Sequence, residues 1–191
     1  MTKLIAIGGS QGTGKTYLAR GVTNHLNEKG HSSEYVSEVA REWIGRFGIP
    51  ADVADQLDIF EMQLQKEESA MSNESLDYIV VDSPLYLPYI YGVLVTDMNN
   101  LKEQFRIQRL FSRVLKYSPR YEANIILLHK KHEESDDHRV WDNSIEEVTT
   151  NGILFFVKAL GLRNIHEVDA NLNFEERVKA VSEEILTKTK E

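Results

Sequence analysis

The sequence contains no cysteine. That absence removes disulfides, zinc–thiolate sites, iron–sulfur clusters and cysteine nucleophiles together, and it fits a reducing cytoplasm. Positive charge is also in short supply. Lysine and arginine number 22 against 30 acidic residues, a net charge of −8. Sequence-independent binding to nucleic acid needs many cationic contacts to phosphate, so this balance disfavours a nucleic-acid partner. It leaves room for a local basic pocket around one small phosphorylated ligand. Long hydrophobic runs are missing too. The longest uncharged stretch, Ser83–Thr96, carries Pro84 and Pro88 and is shorter than the roughly 20 residues of a spanning helix. It reads as buried or pocket-lining, and no membrane partner is expected. The apolar start, Met1–Ile7, is too short for a signal peptide. No repeat, low-complexity segment or linker shows. What remains is 191 residues with 41% apolar and 27% charged side chains, the profile of one globular domain over 1–191 with a real core.

Short apolar runs alternate with stretches at helical spacing. Strands are predicted at Leu4–Ile7, Glu34–Ser37, Tyr78–Val81, Asn124–Leu128 and Ile165–Val168. Helices are predicted over 15–29, 39–46, 52–71, 100–116 and 143–160, with a last one using Phe174, Val178, Val181 and Ile185. Gly30 ends the first helix, and Asn173 with Glu176 suggests a modified capping box for the last. Strands separated by helices argue for an α/β fold with a parallel sheet of about five strands, covered on both faces.

The most informative segment is Gly9-Ser10-Gln11-Gly12-Thr13-Gly14-Lys15-Thr16, which matches the phosphate-binding pattern G-x-x-x-x-G-K-[ST] between a strand and a helix. Glycines let successive backbone N–H groups curl around one anion, and the following helix adds the positive end of its dipole. Lys15 reaches terminal phosphates as a point charge, and the Thr16 hydroxyl suits Mg²⁺. Gly9, Gln11, Gly12, Thr13, Gly14, Lys15, Thr16 and Tyr17 form the expected nucleotide-binding set. Asp82 closes the run Ile79-Val80-Val81 at the carboxyl end of the third strand, where parallel sheets place ligands. It is a candidate to hold Mg²⁺ through water or to take a proton from an acceptor. The plainer alternative is a cap on the next helix.

Three segments in this order, namely the N-terminal loop, Ser37-Glu38-Val39-Ala40-Arg41-Glu42, and Val81-Asp82-Ser83-Pro84-Leu85, carry a family resemblance. The chain resembles the small P-loop kinases related to the ribosylnicotinamide kinase domain of the NAD-biosynthesis regulator, whose relatives are frequent in tailed phages. The resemblance covers most of the chain. It implies a P-loop NTPase three-layer sandwich of the nucleoside/nucleotide-kinase type, with a small lid and with ATP as donor. It leaves the acceptor open among nucleosides, nucleotides and similar small molecules. A cytoplasmic setting is implied, that of the host for a phage protein. Thymidylate kinases carry an Asp-Arg pair after the third strand, and Asp82-Ser83 departs from it, which leaves room for an unphosphorylated acceptor.

Glu38 and Arg41 follow the second strand and approach the same mouth. The carboxylate is a candidate to orient or deprotonate a hydroxyl, and the guanidinium to grip phosphate. Being three apart, they equally suit a surface salt bridge on a short helix. Tyr86, Tyr89 and Tyr91 are candidates to stack on a base or simply to pack. The charged segment 130–141 suits a lid. Within it Lys130, Lys131 and above all Arg139 bring charge to a transferring phosphoryl group. The spacing of His129, His132 and His138 fits no standard metal pattern. Arg106, Arg109 and Arg113 form a stripe that suits a solvated helix face, a phosphorylated ligand or a polynucleotide.

The expected catalytic residues are therefore Lys15, Glu38, Arg41, Asp82 and Arg139, with Thr16 and Asp82 as metal ligands and ATP and Mg²⁺ as cofactors. Two alternatives stand beside a small-molecule kinase: a kinase of a modified base in phage DNA, and a nucleotide-driven switch or partner-binding ATPase. No Asn-Lys-x-Asp guanine-reading motif is present.

Overall fold

β1 (Lys3–Gly8) sends Leu4 and Ala6 to one side of a sheet and Ile5 and Ile7 to the other, and all four are buried. β3 (Tyr78–Asp82) repeats the pattern, with Ile79 and Val81 opposed to Tyr78 and Val80. Strands buried on both faces belong to parallel sheets covered by helices. The computed structural model, which describes residues 1–128, 143–169 and 172–188, has that architecture. With β2 (Ser33–Val36), β4 (Tyr121–Leu127) and β5 (Ile165–Val168), the order across the sheet is β2-β3-β1-β4-β5, every neighbouring pair parallel.

On one face lie α1 (Lys15–Glu28) and α7 (Phe174–Lys188), joined through Leu18, Val22, Leu26, Val178, Val181 and Ile185. On the other lie α3 (Val53–Met71), α5 (Leu101–Tyr117) and α6 (Asn143–Ala159), packed through Phe60, Leu64, Leu110, Val114, Ile153 and Val157. α2 (Val39–Phe47) follows β2, and α4 (Leu87–Val95) follows β3. The chain order reverses about β1, so the crevice beyond its carboxyl end is where such sheets bind ligands. No helix among the described residues is long and apolar enough to cross a membrane.

Local chemistry explains the helix ends. Asp52 caps α3 by accepting from the Ala54 and Asp55 amides at 2.7 and 3.1 Å. Asn173 and Glu176 exchange the expected reciprocal bonds, at 2.9 and 3.3 Å, at the start of α7. Gly21 lets that helix lie close: a Cβ there would stand 2.6 Å from Val178 and 2.7 Å from Phe174.

Two elements differ from expectation. β4 starts at Tyr121, three residues early, because Tyr121 joins the ladder opposite Leu4 despite the polar Glu122 beside it. The uncharged stretch forms α4, with Pro88 in its first turn, where a missing N–H breaks no helical bond. Its apolar residues leave no polar face for periodicity to reveal. The segment 130–141, with Arg139, and the three histidines at 129, 132 and 138 lie outside the described residues.

A polar cluster is buried between α3 and the sheet. Glu67 is fully buried and pairs with Arg120. The Tyr121 hydroxyl donates to Glu67 Oε1 at 2.9 Å and accepts from the Leu85 amide at 2.9 Å. Gln63 Nε2 donates to Glu67 Oε1 at 3.4 Å, while its Oε1 accepts from the Val39 amide at 3.1 Å. The cluster thus ties the start of α2 to the turn after β3.

Candidate active site

The loop from Gly9 to Gly14 joins β1 to α1. Gly9, Gly12 and Gly14 have φ of +149°, +75° and +87°, conformations that side chains resist. At Gly9 a Cβ would also meet the Leu127 carbonyl and Thr13 Oγ1 at 3.0 Å. The curl is held internally: Thr13 Oγ1 donates to the Ser10 carbonyl at 2.9 Å, and Lys15 Nζ donates to the same oxygen at 2.8 Å. Thr150 of α6 donates to Ser10 Oγ at 2.9 Å.

Thr16 Oγ1 donates to Asp82 Oδ2 at 2.7 Å, and the Tyr35 hydroxyl donates to the same oxygen at 3.1 Å. Asp82 Oδ1 is buried without any partner. Burial pushes the Asp82 carboxyl above the usual carboxylate range; the Thr16 bond pulls it back, and nearby Glu38 raises it further. Burial, reinforced by Asp82, pushes the Tyr35 phenol up to about 12. Asp82 therefore does not spend itself as a helix cap. One hydroxyl and one carboxylate with a spare oxygen suit a hard cation such as Mg²⁺. Among the described residues no group of three or more histidine or acidic side chains gathers for a metal. An ion here must take most of its ligands from water and phosphate.

Glu38 occupies the N-cap position of α2, close enough to Asp82 to raise its pKa. Arg41 lies 3.6 Å from Glu38, with its side chain 75% exposed, so the two form the surface pair that their spacing allows. Tyr17 is exposed and Gln11 lies on the open side of the loop. Tyr86 is fully buried and Tyr89 stacks on Phe156 at 4.9 Å between ring centres, so these two pack. Arg106 is held by Asp52 and Glu103, and Arg113 by Glu61.

A family model described as an AAA domain matches residues 4–177, nine-tenths of the chain. The chain belongs to this AAA domain family. No curated protein matches it. Among solved structures, this AAA domain is similar to the NadR protein crystallised with NR: TM-score 0.75 at 14% identity, covering 100% of this chain and 51% of that one. It is likewise similar to NadR with NAD and AMP-PNP: TM-score 0.77 at 16% identity, covering 98% and 50%. The AAA domain thus spans about half the length of those chains. At such identities the likeness shows the fold, the NadR-like P-loop fold that the sequence resemblance implies.

Sequence reasoning missed three features of this AAA domain. Tyr35 reaches Asp82 from β2, across a strand pairing that no local pattern announces. Ser83 has φ +67°, costing about 1–3 kcal/mol for a residue with a side chain, and its hydroxyl is buried without a partner. Such strain marks functional turns, and the only hint was a serine between Asp82 and Pro84. Arg177, from α7, stands beside Gly14.

Burying the Asp82 charge costs stability. Asp82→Asn keeps an acceptor for Thr16 and Tyr35 while removing that charge. Scanning calorimetry without nucleotide should show a higher Tm, by about 2–4 °C for each kcal/mol relieved. A lower Tm would mean that the carboxylate stabilises the apo fold.

Proposed function

We propose that this AAA domain is an ATP- and Mg²⁺-dependent phosphotransferase acting on the hydroxyl of an unphosphorylated, nucleoside-like small molecule. The observation that carries the reading is the Thr16–Asp82–Tyr35 constellation at the phosphate loop, with Asp82 Oδ1 unspent and Glu38 beside it. Lys15 and the loop amides bind the β- and γ-phosphates of the donor. Thr16 and Asp82 hold the cation, which when bound offsets charge on the donor oxygens. The acceptor oxygen attacks the γ-phosphorus, the bond to the β–γ bridging oxygen breaks, and ADP leaves with that electron pair. The hydroxyl proton passes to Glu38 or Asp82. Arg41, paired with Glu38, is the candidate to supply positive charge, and Arg139, expected in the same role, lies outside the described residues.

Charge pairing supports an acceptor without phosphate. The partly buried cations of α3, α5 and the turn after α5 each have a carboxylate: Lys66 with Glu42, Arg106 with Glu103, Arg113 with Glu61, and Arg120 with Glu67. Among the described residues these four cations are already paired, whereas Glu38 and Asp82 suit a neutral or cationic acceptor. The same pairing takes two arginines out of the stripe on α5 and weakens the reading of DNA as acceptor.

Labelled ATP, offered with a panel of nucleosides and nucleoside monophosphates, tests this. The expected result is label on a nucleoside, abolished by chelating Mg²⁺, and none on monophosphates. Release of free phosphate alone with every acceptor would instead support a switch ATPase.

A further inference from the structure

α7 delivers a cation to the nucleotide loop from the flank opposite Asp82. Asp82 ends β3, on one side of β1, whereas α7 follows β5, two strands beyond β1 on the other. The helix lies close enough because Gly21 has no side chain; a Cβ there would collide with Phe174 and Val178 in the first turns of α7. Arg177 then extends to the loop, its Nη1 3.8 Å from where a Cβ of Gly14 would stand. Gly14 is the N-cap of α1, and it makes no side-chain cap.

Several elements bring positive charge to this corner. The first turn of α1 has no acidic residue. Its dipole presents positive charge there, and Lys15 adds more. Arg177 adds a third source, in no ion pair among the described residues, and its Nε is buried without a hydrogen-bond partner. Glu176, its neighbour in the chain, is bonded to Asn173 in the capping box. A guanidinium held against the positive end of a helix is unfavourable until an anion joins it. Its fold position favours the donor's nucleoside end, because the reacting γ-phosphate must face Asp82 and Glu38 on the other flank.

We infer that Arg177 is a donor-binding residue that contacts the phosphate chain at its α-phosphate, a role that rests on the proposed nucleotide-binding function. It supplies binding rather than chemistry, so ADP and ATP analogues should feel its loss alike.

Titration calorimetry with Mg²⁺ and AMP-PNP, ADP or inorganic tripolyphosphate tests this on the full chain. Arg177→Met keeps the aliphatic stem and removes the fork. It should weaken all three ligands by about tenfold or more, the size of one charge-assisted hydrogen bond. Arg177→Lys should recover part of the loss, and neither variant should have a lower Tm than the wild type without ligand. Unchanged affinities in Arg177→Met overturn the inference. So does a loss confined to AMP-PNP and ADP, which would place Arg177 against the base. A wild-type chain that binds none of the three overturns the nucleotide reading itself, and the inference with it.

Discussion

Lys15→Ala is expected to lower phosphotransfer by about 100- to 1,000-fold, the usual cost of removing one charged group aimed at a transition state. Lys15 is buried at the head of α1, where its ammonium donates to the Ser10 carbonyl at the centre of the curl. In the proposed function a short pivot would bring that charge onto a donor phosphate held by the loop amides. Alanine keeps the helix, since it propagates α1 well, and removes the ammonium together with its bond to Ser10. The loss should fall mainly on kcat, because charge builds up on the phosphoryl oxygens as the bond breaks. Lys15→Arg should rescue little, because a planar guanidinium does not reproduce the compact point charge of an ammonium. Steady-state kinetics with the acceptor found by the labelled-ATP panel provides the measurement. Full activity in Lys15→Ala would refute the assigned role.

Glu67→Ala carries the largest expected cost in stability, about 3–5 kcal/mol in urea denaturation. The carboxylate is fully buried, and burial pushes its pKa up even though Arg120, Tyr121 and Gln63 pull it down. Removing it leaves the Arg120 charge partly buried without its bonded carboxylate and takes the acceptor from the Tyr121 hydroxyl. For a chain of ordinary stability, on the order of 5–15 kcal/mol, that is a large share. Should the variant fail to fold, the double replacement Glu67→Leu with Arg120→Leu removes both charges together and should cost clearly less. A loss below about 1 kcal/mol for Glu67→Ala would show that the pair contributes no more than a surface bridge. The damage should also reach the site, because the cluster anchors both the Val39 amide and the Leu85 amide.

The sequence made the phosphate loop legible because its chemistry demands particular residues at fixed spacing. Backbone amides can surround an anion only where glycines permit the curl, and Lys15 and Thr16 must follow at once. Asp82 was legible for a related reason: a β-branched run ending in an acid marks the carboxyl end of a buried strand. Both faces of β1 and β3 follow from their unbroken apolar composition. Other features arise from distant contacts. Tyr35 matters because β2 pairs with β3 in a register that places its hydroxyl on Asp82. Arg177 matters because Gly21, more than 150 residues earlier, admits α7 against α1. Neither relation leaves a local trace. α4 hid for another reason, since its nearly uniform apolar composition shows no period.

The carbonyl of Ser10 has a consequence for any affinity measured on this chain. Lys15 and Thr13 already converge on that oxygen, so the cradle contains its own internal competitor. On the proposed function, an incoming anion would exchange one partner of the ammonium for another. The observed dissociation constant is therefore a difference between two occupied states of the same side chain, and a modest value is compatible with a strong grip.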